Sequence, residues 1–139
     1  MVDQTVTNFL IQEDDPYIIC GCLKKILNNL YVPLFSYQIY EKIIAYRSSG
    51  TEEADVEFIL SFIELMSQIE VNVLAFIVGF LKKGIVKYEV HNKMSAYNLA
   101  VVFGPCFFRP KEYRVDDLIN SGRFSKIVLL LIDNYDRIF

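Results

Sequence analysis

Through most of this chain apolar residues return every three or four positions, the period of a helix buried along one side. In "DDPYIICGCLKKILNNL" the stripe is Ile19, Leu23, Ile26, Leu27 and Leu30, with Asp15 as N-cap, Pro16 in the first helical position and Pro33 as the stop. "YQIYEKIIAY", after Ser36, predicts a shorter helix, and "YRSSGTEE" a turn whose acidic end suits the next helix amino terminus. A pair of helices comes next. The first buries Val56, Ile59, Leu60, Ile63 and Met66; the second, from about Val71, buries Val73, Leu74, Ile77, Val78 and Leu81, and Gly84 loosens its end. "NKMSAYNLAVVFGPCFFRP" predicts another, stopped by Gly104-Pro105 because proline lacks a backbone donor and disfavours helical geometry in the residue before it. "RPKEYRVDDLINSG" reads as a surface segment, and a last helix from about Phe124 turns Phe124, Ile127, Leu131, Tyr135 and Ile138 inward. Strand alternation is absent, so the expected class is all-α, helices packed on helices.

The chain has 139 residues, the size of a single domain (1–139) that can bury a core without disulfides or metals. Hydrophobic residues make up 53%, yet runs such as "VLLLI" are far too short for a membrane span. The amino terminus "MVDQTVTNFL" has no basic start followed by an apolar core, and a cytoplasmic location is expected. A formal net charge of −3 argues against nucleic acid as partner. Cys20, Cys22 and Cys106 are odd in number and Cys20-x-Cys22 diverges on a helix, so the thiols read as ordinary and not as a disulfide framework. With His91 the sole imidazole, neither a zinc site nor a catalytic triad is assembled, and no phosphate-binding glycine loop is present; no metal or cofactor is expected.

One polar residue interrupts the pattern. Asn98 shares a helical face with Met94, Val101 and Val102, where an unsatisfied buried amide would cost roughly 1–3 kcal/mol. It is therefore expected to be buried and hydrogen-bonded to protein groups, either as a purely structural amide or as part of a functional surface. Lys24 and Asn28, four apart on the first helix, lie away from Ile19, Leu23 and Leu30, as a solvated face or as a face for a partner.

"NKMSAYNLAVVFGP", preceded by "VNVLAFIVGFLKKGIVKYEVH", resembles the late helices of the RhoGAP domain, the GTPase-activating module for Rho-family small GTPases. "DPYIICGCLKKILNNLYVPL" is similar to that family's Asp-Pro segment, Leu-Lys helix and proline-rich turn, and "LLIDNYDRIF" resembles its last helix. Three blocks in the family's order cover nearly the whole chain. The resemblance implies a GTPase-activating module acting in signal transduction, whose partner is a Rho-, Rac- or Cdc42-type small GTPase in its GTP-bound form. The alternative is a RhoGAP-like interaction module that binds without accelerating hydrolysis.

In the resembling family an arginine finger comes from a Gly-x-x-Arg-x-Ser-Gly loop upstream of the Asp-Pro helix. No arginine lies among the fourteen residues before Asp15, so no catalytic residue is assigned and the chain is expected to lack the family's amino-terminal portion. Such a finger is worth ~10³–10⁵ in rate. The resemblance carries GTPase-binding positions over to Lys24, Asn28, Asn98, Pro105 and Cys106. Asn28 stands where the family usually has Arg, Tyr31 and Val32 replace the usual Pro and acid, and Cys106 replaces a common Asn. "AYRSSG", with Arg47, has the local look of a finger loop, but it comes after the "YVPL" turn and reads as an ordinary charged turn.

Overall fold

The computed structural model describes residues 15–139, and among them there are helices and turns and no strand. In chain order the helices are α1 (Pro16–Asn28), α2 (Tyr37–Ala45), α3 (Glu52–Ile63), α4 (Gln68–Phe80), α5 (Glu89–Asn92), α6 (Ala96–Phe107), α7 (Val115–Asp133) and α8 (Tyr135–Ile138). Between α4 and α5 the helix widens into a π-helical turn, Leu81–Ile85, around Gly84, then tightens into a 3₁₀ turn, Val86–Tyr88.

Local sequence sets most of the starts. Asp15 accepts from the Tyr17 amide at 2.9 Å with Pro16 just inside the helix. Ser36, Thr51 and Ser95 each accept the amide of the residue three positions on. Ser67 and Glu70 cap each other's amides, which starts α4 three residues before the expected Val71.

The core is centred on α6, which lies along α7, with α1 against α6 and α2 and α4 against α7. Leu99, Phe103 and Phe107 of α6 and Phe124, Val128 and Leu131 of α7 are buried, each aromatic or aliphatic side chain contributing roughly 1.5–3 kcal/mol by leaving water. Phe35, Phe108, Phe124 and Tyr40 stack in succession, with ring centroids 4.4, 5.0 and 4.7 Å apart. A β-carbon at Gly104 would sit 3.2 Å from the Ser125 amide nitrogen, so glycine there is what lets α6 and α7 approach.

Several expectations are corrected. α1 ends at Asn28 and turns Cys20 and Leu27 inward, leaving Ile26 and Leu30 partly exposed. Val73 of α4 is exposed, and together with Ile69 and Phe76 it forms an apolar stripe opposite the buried Leu74, Ile77 and Val78. α7 begins at Val115, well before Phe124, because Asp117 accepts from the Arg114 amide and two aspartates occupy its first turn. Pro105 does not stop α6, which continues to Phe107. The proline sits on the exposed side of the last turn, where water can serve the Val101 carbonyl that its missing N–H leaves, and the Phe108 amide still donates to Gly104 O at 3.1 Å.

Candidate functional site

The groove between α1 and α6 gathers most of the residues singled out from the sequence. Its floor is a cleft of about 180 Å³ lined by Tyr17, Cys20, Lys24, Met94, Val102 and neighbouring apolar residues. Lys24 is half-buried there, its stem against the apolar wall, the usual posture of a lysine whose head seeks water. One turn on, Asn28 lies near the Cys106 thiol, which donates to Val102 O at 3.5 Å. Burial pushes the Cys106 thiol up, against the opposing pull of Asn28, Lys24 and Arg109. Burial raises Cys20 likewise, with Lys24 opposing. Both thiols therefore stay protonated at neutral pH and serve as packing and weak hydrogen-bonding groups, not nucleophiles.

Along α6 the inward positions are Leu99, Ala100, Phe103 and Phe107, and the outward ridge is Asn98, Val101 and Pro105. The expectation that Asn98 is buried is overturned. α6 starts only at Ala96, so the buried stripe is rotated relative to the one drawn through Met94, and Asn98 is exposed. Its Nδ2 makes one long bond, 3.4 Å, to Lys93 O. The amide with the structural duty is Asn92: its Nδ2 donates to Ile85 O at 2.9 Å, its Oδ1 accepts the Met94 amide at 2.8 Å, and its carbonyl accepts from the Tyr17 hydroxyl. Asn98 lies about 10 Å along the axis from Pro105, at 1.5 Å per residue. Lys24, Asn28, Cys106 and Pro105 thus cluster, and Asn98 continues their ridge toward the start of α6.

The sequence pattern does not reveal the group that holds the groove together. Arg109 donates through Nη1 to Asn28 O at 3.1 Å and through Nη2 to Leu30 O, tying the end of α1 and the following turn to the segment after α6. Guanidinium at a helix carboxyl end satisfies carbonyls that the helix leaves open. Its position directly after the apolar run that ends at Phe108, next to Pro110, gives no periodic signal. Arg47 is elsewhere: it lines a cleft with Asp55, Arg123 and Lys126 among α2, α3 and α7.

The sequence profile of the RhoGAP domain matches residues 1–112. The chain belongs to the RhoGAP domain family. Rho GTPase-activating protein Graf of Drosophila melanogaster is 37% identical over 122 residues, covering 87% of this chain and 12% of that protein. Human N-chimaerin is 31% identical over 127 residues, covering 91% of this RhoGAP chain and 28% of its own. The chain therefore spans a minor part of these curated relatives. Among solved structures, the BH domain of Graf, the GTPase regulator associated with focal adhesion kinase, superposes with a TM-score of 0.79 at 26% identity, over 100% of this chain and 80% of the other. Human Rho GTPase activating protein 15 superposes with a TM-score of 0.77 at 26% identity, over 91% and 59%. The expected all-α RhoGAP fold is thereby established. Among the described residues no helix is long and apolar enough to cross a membrane.

Proposed function

We propose that this RhoGAP domain binds a Rho-, Rac- or Cdc42-type small GTPase in its GTP-bound form through the α1–α6 groove and serves as the GTPase-activating module of its parent protein. The observation that carries the reading is the outward ridge of Asn98, Val101 and Pro105 beside Lys24 and Asn28, in a chain whose family profile matches residues 1–112. An exposed amide, a half-buried lysine and partly exposed apolar side chains form the mixed surface that a polar, Mg²⁺- and phosphate-bearing partner requires. Lys24 supplies charge, Asn98 a donor and an acceptor, and Val101 with Pro105 the apolar contact.

Binding and rate enhancement are separable. Contacts equal in ground and transition state give affinity, whereas the charge that builds on the transferred phosphoryl group needs a guanidinium aimed at it. Arg109, which borders the groove, has its guanidinium engaged by two carbonyls and so is a positioning group. The chain by itself is expected to bind with little acceleration, the finger coming from outside the described residues.

The test is binding of RhoA-, Rac- and Cdc42-type proteins loaded with a non-hydrolysable GTP analogue or with GDP, alongside single-turnover hydrolysis. The GTP-analogue form is expected to bind more tightly, and Lys24→Glu to weaken it about tenfold, the scale of a hot-spot contact. Affinity for none of the three, or an affinity that Lys24→Glu leaves unchanged, overturns the proposal. Acceleration of ~10³-fold or more by this chain overturns the assignment of the finger to another segment.

A further inference from the structure

The loop after α2, "YRSSGT", is used neither by the groove nor by the core. It closes one side of a second cleft of about 330 Å³, whose walls are Tyr46, Arg47, Asp55, Arg123 and Lys126 and whose floor is Ile43, Ile127 and Leu130. The volume is at the small end of the range for ligand pockets, roughly 300–1,000 Å³. Three cations less one carboxylate leave a lining charge of +2, in a chain whose net charge is −3.

The carboxylate is already consumed. Asp55 is buried and accepts from Lys126 Nζ at 2.6 Å and from the Tyr46 hydroxyl at 3.0 Å. The cations retain donors. Arg123 uses Nη1 alone, to Tyr46 O at 2.7 Å and Ile44 O at 3.4 Å, so Nε and Nη2 keep three N–H groups free of described partners. Lys126 gives one of its three protons to Asp55 and its side chain is half exposed. The Arg47 side chain makes no hydrogen bond or ion pair with a described residue. Tyr46 is fixed by stacking on Phe58 at 3.8 Å, and Gly50, at φ +90°, turns the loop back so that its amide reaches Ser48 Oγ at 3.1 Å.

We propose that the Arg47–Arg123–Lys126 cleft is a binding site for an aryl phosphate, the side chain of a phosphorylated tyrosine presented by a protein partner. Donors from three cations exceed what the two oxygens of a carboxylate accept and suit the three oxygens of a phosphate monoester, whose charge near −2 matches the lining. Arginine pairs with such oxygens bidentately, and the apolar floor formed by Ile43, Ile127 and Leu130 accepts the ring that carries them.

The experiment is titration of the whole chain, watched by NMR at the Arg47 and Gly50 amides and the Arg123 Nε–H, with phenyl phosphate, with inorganic phosphate, and with vesicles containing a phosphoinositide. Phenyl phosphate is expected to shift all three signals. Arg47→Ala, exposed and without structural contacts, should weaken it about fivefold, the size of one partly exposed charge-assisted contact, and Arg47→Lys should recover part of the loss. Equal binding by Arg47→Ala overturns the site. Inorganic phosphate binding as tightly as phenyl phosphate overturns the aryl assignment and leaves an unspecific anion cluster. Capture by phosphoinositide vesicles through Arg47, with no response to phenyl phosphate, overturns it in favour of a lipid headgroup.

Discussion

Replacing Arg109 by methionine should loosen the groove without emptying the core. The guanidinium makes two charge-assisted hydrogen bonds, to Asn28 O and Leu30 O, each worth roughly 1.5–3 kcal/mol net where water is excluded. Both acceptors belong to exposed residues, so water can take over the carbonyls and recover about half of that sum. Arg109 Nε is buried without a hydrogen-bond partner among the described residues, and removing that unsatisfied donor returns about 1 kcal/mol. The methionine also keeps an apolar stem in place. The net loss is about 0.5–2 kcal/mol, and at a typical urea dependence of about 2 kcal/mol per molar it moves the unfolding midpoint by roughly 0.25–1 M. Urea titration followed by helical circular dichroism measures it, with amide hydrogen exchange as a local readout. The Asn29 and Leu30 amides, which bond back to Lys25, Ile26 and Leu27 carbonyls, should exchange faster in Arg109→Met as the end of α1 frays. Arg109→Lys should recover little, because one ammonium does not reproduce a planar fork aimed at two carbonyls. A midpoint that does not move, or full rescue by lysine, would refute the clamp.

Phe103→Ala removes a fully buried ring from the α6–α7 contact and should cost about 3–5 kcal/mol in a chemical denaturation series, whereas a loss below ~1 kcal/mol would mean that the core collapses freely around the site. Asp55 supplies an acid-limb prediction. Burial pushes its carboxyl up, but hydrogen bonds from Lys126, Ser48 and Tyr46 outweigh this and hold it below its ordinary value of 3.8. Its stabilisation is therefore fully present above that value and is lost as pH falls through the lower folded-state value, so urea midpoints measured from pH ~6 to pH ~2 should fall less steeply in Asp55→Asn than in the parent; parallel curves would contradict it.

The helices are legible where the chain caps them and buries a single face. Asp15-Pro16 and Ser36 each mark a start by local chemistry, and the α3 stripe through Val56 and Ile59 is buried as its period implies. The failures have specific causes. The first turns of α7 carry Val115, Leu118 and Ile119, all exposed, so the helix there rests on acidic residues near its amino terminus and not on burial, and periodicity has nothing to register. α4 is apolar on two opposite sides, which makes Val73 indistinguishable from Leu74 by pattern. Asn98 reads as inward when the stripe is drawn from Met94, which precedes the helix; a phase error of a residue or two moves a side chain from core to solvent. Family resemblance brings Lys24, Asn28, Pro105 and Cys106 to one place, whereas Arg109 and Arg123 act on carbonyls distant in sequence, partners that no local window contains.

The π-helical turn at Leu81–Ile85 specifies a number of residues and not a set of side chains. Both of its end residues, Leu81 and Ile85, are buried, and Lys83, between them, lies 4.7 Å over the Tyr135 ring. The 3₁₀ turn at Val86–Tyr88 then winds more tightly than α-helix, so the two irregular turns offset each other before α5 begins. Deleting one residue in this stretch would rotate α5 and the start of α6 by about 100° relative to α4, whichever residue was lost. A deletion before Ile85 would swing that side chain off the core, and one after it would take from Asn92 the Ile85 carbonyl it uses to position the start of α6. Length is here a form of information in its own right: the direction in which the α6 ridge points is fixed by how many residues separate Leu81 from Ser95, and this segment tolerates a change of letter better than a change of count.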